Sequence, residues 1–104
     1  LRKAAELRQT LGEAETHLLL ARLDMMDERF DSAQAHIQQA IDSHTQNAIA
    51  ALAANARFEL CRLYAVRGDT PHALALLTPC EEDFRRLKMA HHSRQAELLR
   101  GALA

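Results

Sequence analysis

Apolar residues recur three and four positions apart along most of the chain, and short polar breaks separate these stretches. This is the spacing of amphipathic helices, in which such residues form one continuous stripe. Gly12 ends the first stretch, and glycine readily adopts the left-handed conformation found at helix ends. The pattern predicts helices over residues 1–11, 13–27, about 32–43 and 47–67, followed by a helical stretch from residue 71 onward.

The clearest break is the sequence Arg67-Gly68-Asp69-Thr70-Pro71. Gly68 suits the end of one helix, and Thr70 is a good cap for the next. Pro71 then takes the first helical position, where its missing N–H is not needed. An earlier polar turn is predicted at residues 27–30, and a weaker break at residues 43–46.

The C-terminal stretch can be divided into helices in more than one way. Pro79 predicts a kink or a brief restart, because Thr78 and Glu81 have the spacing of a capping box. The pattern leaves open whether residues 90–93 break the last helix. Five or six helices and no strands are therefore expected. An apolar content rich in alanine and leucine, with only 4% aromatic residues, agrees with closely packed helices.

Two parts of the chain match each other at an offset of 40 residues. The matching positions are Leu20 and Leu60, Leu23 and Leu63, Ala33 and Ala73, Ala35 and Ala75, and Ile37 and Leu77. A fixed period of this size is typical of helical solenoids, in which each helix pair buries its apolar face by stacking on its neighbours.

The residues of the two units are similar to the pattern of tetratricopeptide repeats of the long bacterial type. The second unit supplies Leu60-Cys61, Tyr64, Gly68-Asp69, Ala73, Leu77 and Cys80. The first supplies Leu20-Ala21, Asp24, Glu28-Arg29-Phe30, Ala33, Ile37 and Ala40. The first unit departs from the family in lacking the tyrosine and the turn glycine, and Cys61 and Cys80 replace small residues. The resemblance implies a right-handed α-solenoid of antiparallel helix pairs.

On this interpretation the chain is one helical repeat domain cut from a longer protein. Residues 1–11 end an upstream repeat, residues 13–43 and 47–88 are two repeats, and residues 89–104 form a further or linking helix. Repeats of this type occur in sensory regions of bacterial signalling proteins, including GGDEF diguanylate cyclases, histidine kinases and large transcription activators. The resemblance therefore implies a protein-interaction or sensory module that regulates an attached output domain.

Arg22 and Arg62 hold equivalent positions on the helices that line the groove in this family. Guanidinium groups bind carboxylates in bidentate fashion, so a protein or peptide partner is one interpretation. The alternative is that both arginines are solvated or paired with acids such as Glu15 and Glu59. The predicted partner-binding set is Glu15, Leu18, Arg22, Met25, Asn55, Phe58 and Arg62.

The end of the chain is a second candidate surface. Leu98, Leu99 and Leu103 have helical spacing and no polar cap follows them, so self-association as a homodimer is predicted. Two alternatives to the groove interpretation stay open: an oligomerisation scaffold acting through these terminal helices, and a non-catalytic helical part of an enzyme.

The charge, the apolar runs and the spacing of histidines and cysteines argue against several classes of function. The formal net charge is −1 and no basic stripe carries interleaved aromatic residues, which argues against nucleic-acid binding. No apolar run has the length of a membrane span. No two histidines stand four apart with a third ligand, so no metal site or cofactor is predicted, and no catalytic residue is identified. Two cysteines without a framework favour the cytoplasm.

Overall fold

The computed structural model describes residues 2–104, so Leu1, placed in the first helix by its sequence, lies outside the described residues. Within that range the chain forms five α-helices and no strand, which confirms the all-α prediction. The helices are α1 (Arg2–Met26), α2 (Phe30–Gln46), α3 (Ala50–Val66), α4 (Thr70–Arg86) and α5 (Ala90–Leu103).

Several predicted boundaries are wrong. Gly12 lies inside α1, so residues 1–11 do not form a separate helix. The break expected at residues 43–46 falls after Gln46, and α3 begins at Ala50 rather than at residue 47. The last break comes before residues 90–93, since α5 begins at Ala90.

Pro79 lies inside α4, which continues from Thr70 to Arg86 without a restart. Proline removes the N–H that would bond to the carbonyl oxygen of Ala75 four residues earlier. Both Pro79 and Ala75 are exposed, so water can hydrate that oxygen. The helix therefore tolerates the proline on its solvent side.

The four turns between the helices share one conformation and lie 20 residues apart. At each turn one residue has a positive φ: Glu28 (60°), Ala48 (55°), Gly68 (85°) and Lys88 (58°). The Gly68 N–H donates to the Ala65 carbonyl at 3.1 Å, and the Asp69 N–H to the Tyr64 carbonyl at 2.8 Å. The same pair of bonds recurs at the other three turns. This is the Schellman arrangement, which closes a helix and redirects the chain.

Only one of these turns has glycine at the left-handed position, so a change to or from glycine there should alter the stability of the fold. Ala48→Gly should raise the free energy of unfolding by up to about 1 kcal/mol, because glycine removes the Cβ strain of that conformation. Gly68→Ala should lower it by about 1–2 kcal/mol through backbone strain alone, since an added Cβ would meet no atom within 4 Å. Urea denaturation of both variants measures the effect, and an unchanged Gly68→Ala would contradict it.

Consecutive helices pack together, and α1–α3 and α3–α5 also touch. Among the described residues α2 and α4 make no contact with each other. The odd-numbered helices therefore form one continuous layer, whereas the even-numbered ones fan apart on the opposite side. This difference curves the structure and leaves α1, α3 and α5 along its concave side.

The even-numbered helices bury the same register positions. The buried residues of α2 are Ala33, Ile37, Ala40 and His44, and those of α4 are Ala73, Leu77, Cys80 and Phe84. Helix α3 buries residues on several faces because it has neighbours on both sides. Small residues at these positions let the helix axes approach closely, and the larger ones fill the space beside them.

Both cysteines are core residues. Cys61 and Cys80 are free and buried, and the Cys61 thiol donates to the Ala73 carbonyl oxygen at 3.1 Å. Burial raises the pKa of Cys61 to about 11 and that of Cys80 to about 12. Neither thiol is in the thiolate form that nucleophilic chemistry requires.

Candidate binding groove

A groove of about 800 Å³ runs across the concave side of the odd-numbered helices. The residues that line it are Arg22, Met25, Met26, Glu59, Arg62, Ala65, Val66, Gln95, Leu98 and Leu99. All of them belong to α1, α3 or α5. The groove therefore follows from the layer arrangement, since the helices that stay in contact form its floor.

The two repeat units contribute residues at equivalent positions to the walls of the groove. Met25 and Met26 close α1 at the positions that Ala65 and Val66 hold in α3, 40 residues later. Leu98 of α5 also lines the groove. Met26 is 80%, Val66 59% and Leu98 60% exposed, far more than core residues of these types. Contiguous exposed apolar surfaces of this kind are typical of sites at which proteins bind a partner.

A buried carboxylate lies at the centre of the groove. Glu59 of α3 is only 5% exposed, and its Oε1 accepts from Arg22 Nη2 at 3.0 Å. Arg62 Nη1 lies 3.6 Å from the same oxygen. A buried carboxylate needs partners of this kind, because an unpaired buried charge is strongly destabilising. Arg22 thereby joins α1 to α3.

Arg62 is also held by its neighbours. Its guanidinium group lies 4.7 Å from the centre of the Phe58 ring, a cation–π distance. Its Nη2 donates to Gln95 Oε1 on α5 at 3.4 Å. The two arginines share a single carboxylate, so the centre of the groove keeps an excess of one positive charge. That charge is fixed in position between apolar walls.

A smaller depression adjoins the groove and is lined in part by Asn55, Phe58, His91 and His92. His92 Nε2 donates to Asn55 Oδ1 at 3.1 Å. Partial burial lowers the pKa of His92, and the charges of His91 and Arg62 lower it further. The shift disfavours the charged form of the imidazole, so the arginines remain the main source of positive charge.

The structure separates the predicted binding residues into three groups. Arg22, Met25 and Arg62 line the groove, as expected from their repeat positions. Asn55 and Phe58 line the smaller depression, although Phe58 is only 1% exposed and is chiefly a core residue.

The other two predicted residues do not reach the groove. Leu18 is 5% exposed and belongs to the core formed by α1, α2 and α3. Glu15 lies beside His44, with 3.7 Å between Glu15 Oε1 and His44 Nε2. Arg22 and Arg62 both line the groove and pair with Glu59 but not with Glu15, and partner binding by these arginines stays a prediction.

The residues predicted for self-association also fall in two places. Leu98 and Leu99 line the groove, whereas Leu103 packs against the core of α3 and α4. The predicted set leaves out Met26, Val66 and Gln95, which also line the groove. The 40-residue offset could have indicated Met26 and Val66, because it relates them as it relates Arg22 and Arg62.

Within residues 2–104, no group of three or more histidine, cysteine or acidic side chains could hold a metal ion. In the same range no helix combines the length and apolarity needed to cross a bilayer. Comparison of the chain with family models, curated proteins and solved structures finds no match.

Proposed function

We propose that this chain is a protein-interaction module that binds an amphipathic partner helix, or a peptide of the same chemistry, in the groove of α1, α3 and α5. The observation that carries the proposal is the combination of exposed apolar walls with the fixed excess positive charge of Arg22 and Arg62 around Glu59. A helix in a groove is anchored by apolar side chains at helical spacing. The charge selects a partner with a carboxylate near the middle of its apolar face.

The wider role follows the tetratricopeptide resemblance of the sequence. In this proposal the module is the sensory input of a bacterial signal transduction protein in the cytoplasm, and partner binding regulates an attached output domain. The chain itself has no catalytic role. Its coupling to the output domain would depend on the partner binding one arrangement of the helices better than another.

The binding proposal is tested with two helical peptides that carry leucines at positions i, i+4 and i+7. One has glutamate and the other lysine at a central position of the same face. Fluorescence anisotropy should show tighter binding of the glutamate peptide, because only its carboxylate complements the groove. Equal binding of both peptides, or of neither, would contradict the proposed partner chemistry.

Substitutions in the groove provide the sharper prediction. Val66→Asp and Leu98→Asp should each weaken binding of the glutamate peptide by about tenfold or more, because they place a carboxylate on the apolar wall. The matched control is Leu19→Asp, since Leu19 is 61% exposed but is not among the groove residues. All three sites are exposed, so circular dichroism should show unchanged helicity. If Leu19→Asp weakens binding equally, the groove is not the site.

Arg22→Gln tests the charge separately. Its side chain is 57% exposed, and Arg62 remains to pair with Glu59, so the fold should be retained. The variant should lose most of the preference for glutamate over lysine. Reversal of both arginines to glutamate is a poorer test, because it would place two new carboxylates beside the buried one of Glu59.

The scaffold alternative has a specific observation in its favour, since Leu98 and Leu99 lie in the groove wall. Self-association would then bury the surface that the partner requires. Sedimentation velocity distinguishes the two: a dimer that Leu98→Asp dissociates, and that the glutamate peptide does not displace, supports the scaffold.

A further inference from the structure

A second cluster of functional groups lies between α1 and α2, away from the groove. His17 Nδ1 and His36 Nδ1 are 2.8 Å apart, although the two residues are 19 positions apart in the chain. The ring centres are 5.0 Å apart, so the imidazoles meet edge to edge rather than face to face. Both side chains are partly exposed and can be reached from solvent. Neither residue lines the groove or fills the apolar core.

The remaining nitrogen of His36 faces an acid. Asp24 Oδ2 lies 3.8 Å from His36 Nε2, and the same oxygen accepts from Ser32 Oγ at 2.6 Å. This distance is too long for a hydrogen bond, but the negative charge on this side of the ring favours the tautomer that carries its proton on Nε2. The lone pair of His36 Nδ1 then points toward His17. In metal sites the second ring nitrogen commonly faces a carboxylate, which fixes the tautomer once a hydrogen bond forms.

We propose that His17 and His36 form a bidentate site for a late first-row divalent metal ion, with Nδ1 of each ring as ligand and Asp24 as the orienting partner of His36. Neutral imidazole is a good ligand for Cu²⁺, Ni²⁺ and Zn²⁺. Two metal–nitrogen bonds of about 2.0–2.1 Å at a right angle place the nitrogens about 2.9 Å apart. The observed separation of 2.8 Å is close to this, which favours the square-planar preference of Cu²⁺ and Ni²⁺.

Binding replaces the proton that the two nitrogens share in the metal-free protein. In the contact of 2.8 Å one Nδ1 donates an N–H and the other accepts. The metal takes both lone pairs, and the donating ring loses its Nδ1 proton to solvent while its Nε2 takes one up, so that both imidazoles stay neutral. Each ring turns so that its lone pair converges on the ion. Within residues 2–104 no third histidine, cysteine or acidic side chain completes the set, so water fills the other positions. The site holds α1 and α2 together and leaves coordination positions open.

The first test measures thermal unfolding of the whole chain with and without 1 mM Ni²⁺. Because the metal binds the folded pair and not the separated histidines, the midpoint should rise by several degrees. His17→Ala and His36→Ala should each abolish the shift. His91→Ala is the matched control, since His91 and His92 are the other adjacent pair, and it should retain the full shift.

Asp24→Asn tests the orienting role. It should weaken Ni²⁺ binding about two- to fivefold while leaving the two ligands in place. Should the alanine variants fail to fold, titration of the unaltered chain with Zn²⁺ followed by NMR of the imidazole nitrogens gives the answer. Shifts confined to His17 and His36 support the site. No change in the midpoint, a shift that survives His36→Ala, or imidazole shifts elsewhere would overturn it.

Discussion

Replacing Phe84 by alanine is expected to lower the free energy of unfolding by about 3–5 kcal/mol, the range for removing a fully buried aromatic side chain. Phe84 is 0% exposed and lies in the core of α3, α4 and α5. Its ring packs edge-on against Phe58 with 5.4 Å between the ring centres, and lies 5.1 Å from the ring of His92. The cavity would therefore open where three helices meet, and urea denaturation followed by circular dichroism measures the loss.

Two further variants show whether the loss of stability comes from the cavity at Phe84 or from the substitution of any phenylalanine. Phe84→Leu keeps most of the volume and should cost less than about 1.5–2 kcal/mol. Phe30→Ala removes the same ring from a partly exposed position at the edge of the other core cluster, so its loss should be smaller than that of Phe84→Ala. A loss below about 1 kcal/mol for Phe84→Ala would mean that this core relaxes to fill the cavity.

The sequence predicts most of the helices, but only some of their boundaries. The difference depends on whether the turn that ends a helix carries a local sequence signal. Gly68 is flanked by the cap and proline signals that mark a turn, and its position was predicted correctly. Ala48 and Lys88 adopt the same left-handed conformation without any such signal. At these turns tertiary packing overrides local preference, since the helices on both sides are held by neighbours that a local pattern does not include. Only the 20-residue spacing links them to Gly68.

Gly12 and Pro79 show the opposite failure. Both residues usually end helices, yet each lies inside one. Gly12 costs its helix about 1 kcal/mol relative to alanine, which the apolar contacts of α1 with α2 offset. Local signals thus indicate a preference, and the burial available on either side decides whether the helix continues.

The groove was predictable in part. The 40-residue offset relates Arg22 to Arg62 and correctly places both on one side of the structure. It does not show that Glu59 lies between them, because Leu19 holds the equivalent position in the first unit. The contact between His17 and His36 was not predictable from spacing, since it depends on how α1 and α2 are aligned.

The same offset reveals one position where the two units use different chemistry. His44 in α2 holds the place of Phe84 in α4, and both are 0% exposed. Neither ring nitrogen of His44 has a hydrogen-bond partner among the described residues, and the same is true of Ser43 Oγ beside it. The nearest ionic group is the carboxylate of Glu15, at 3.7 Å from Nε2, which is too far for a hydrogen bond. The core of the first unit therefore contains an unsatisfied imidazole.

His44→Phe is expected to raise the free energy of unfolding by about 1–3 kcal/mol, because it removes the penalty for burying polar nitrogens without partners. The repeat indicates that a phenylalanine ring has room at position 44. Phe58 and His92 lie beside Phe84, and Leu18 and Leu52 hold the equivalent positions in the first unit. Phe84→His is the matched reverse change and should destabilise. His44→Leu removes the polar nitrogens and adds less volume than phenylalanine does. If both His44 variants lower stability in urea denaturation, the imidazole makes a favourable interaction and the predicted penalty is wrong.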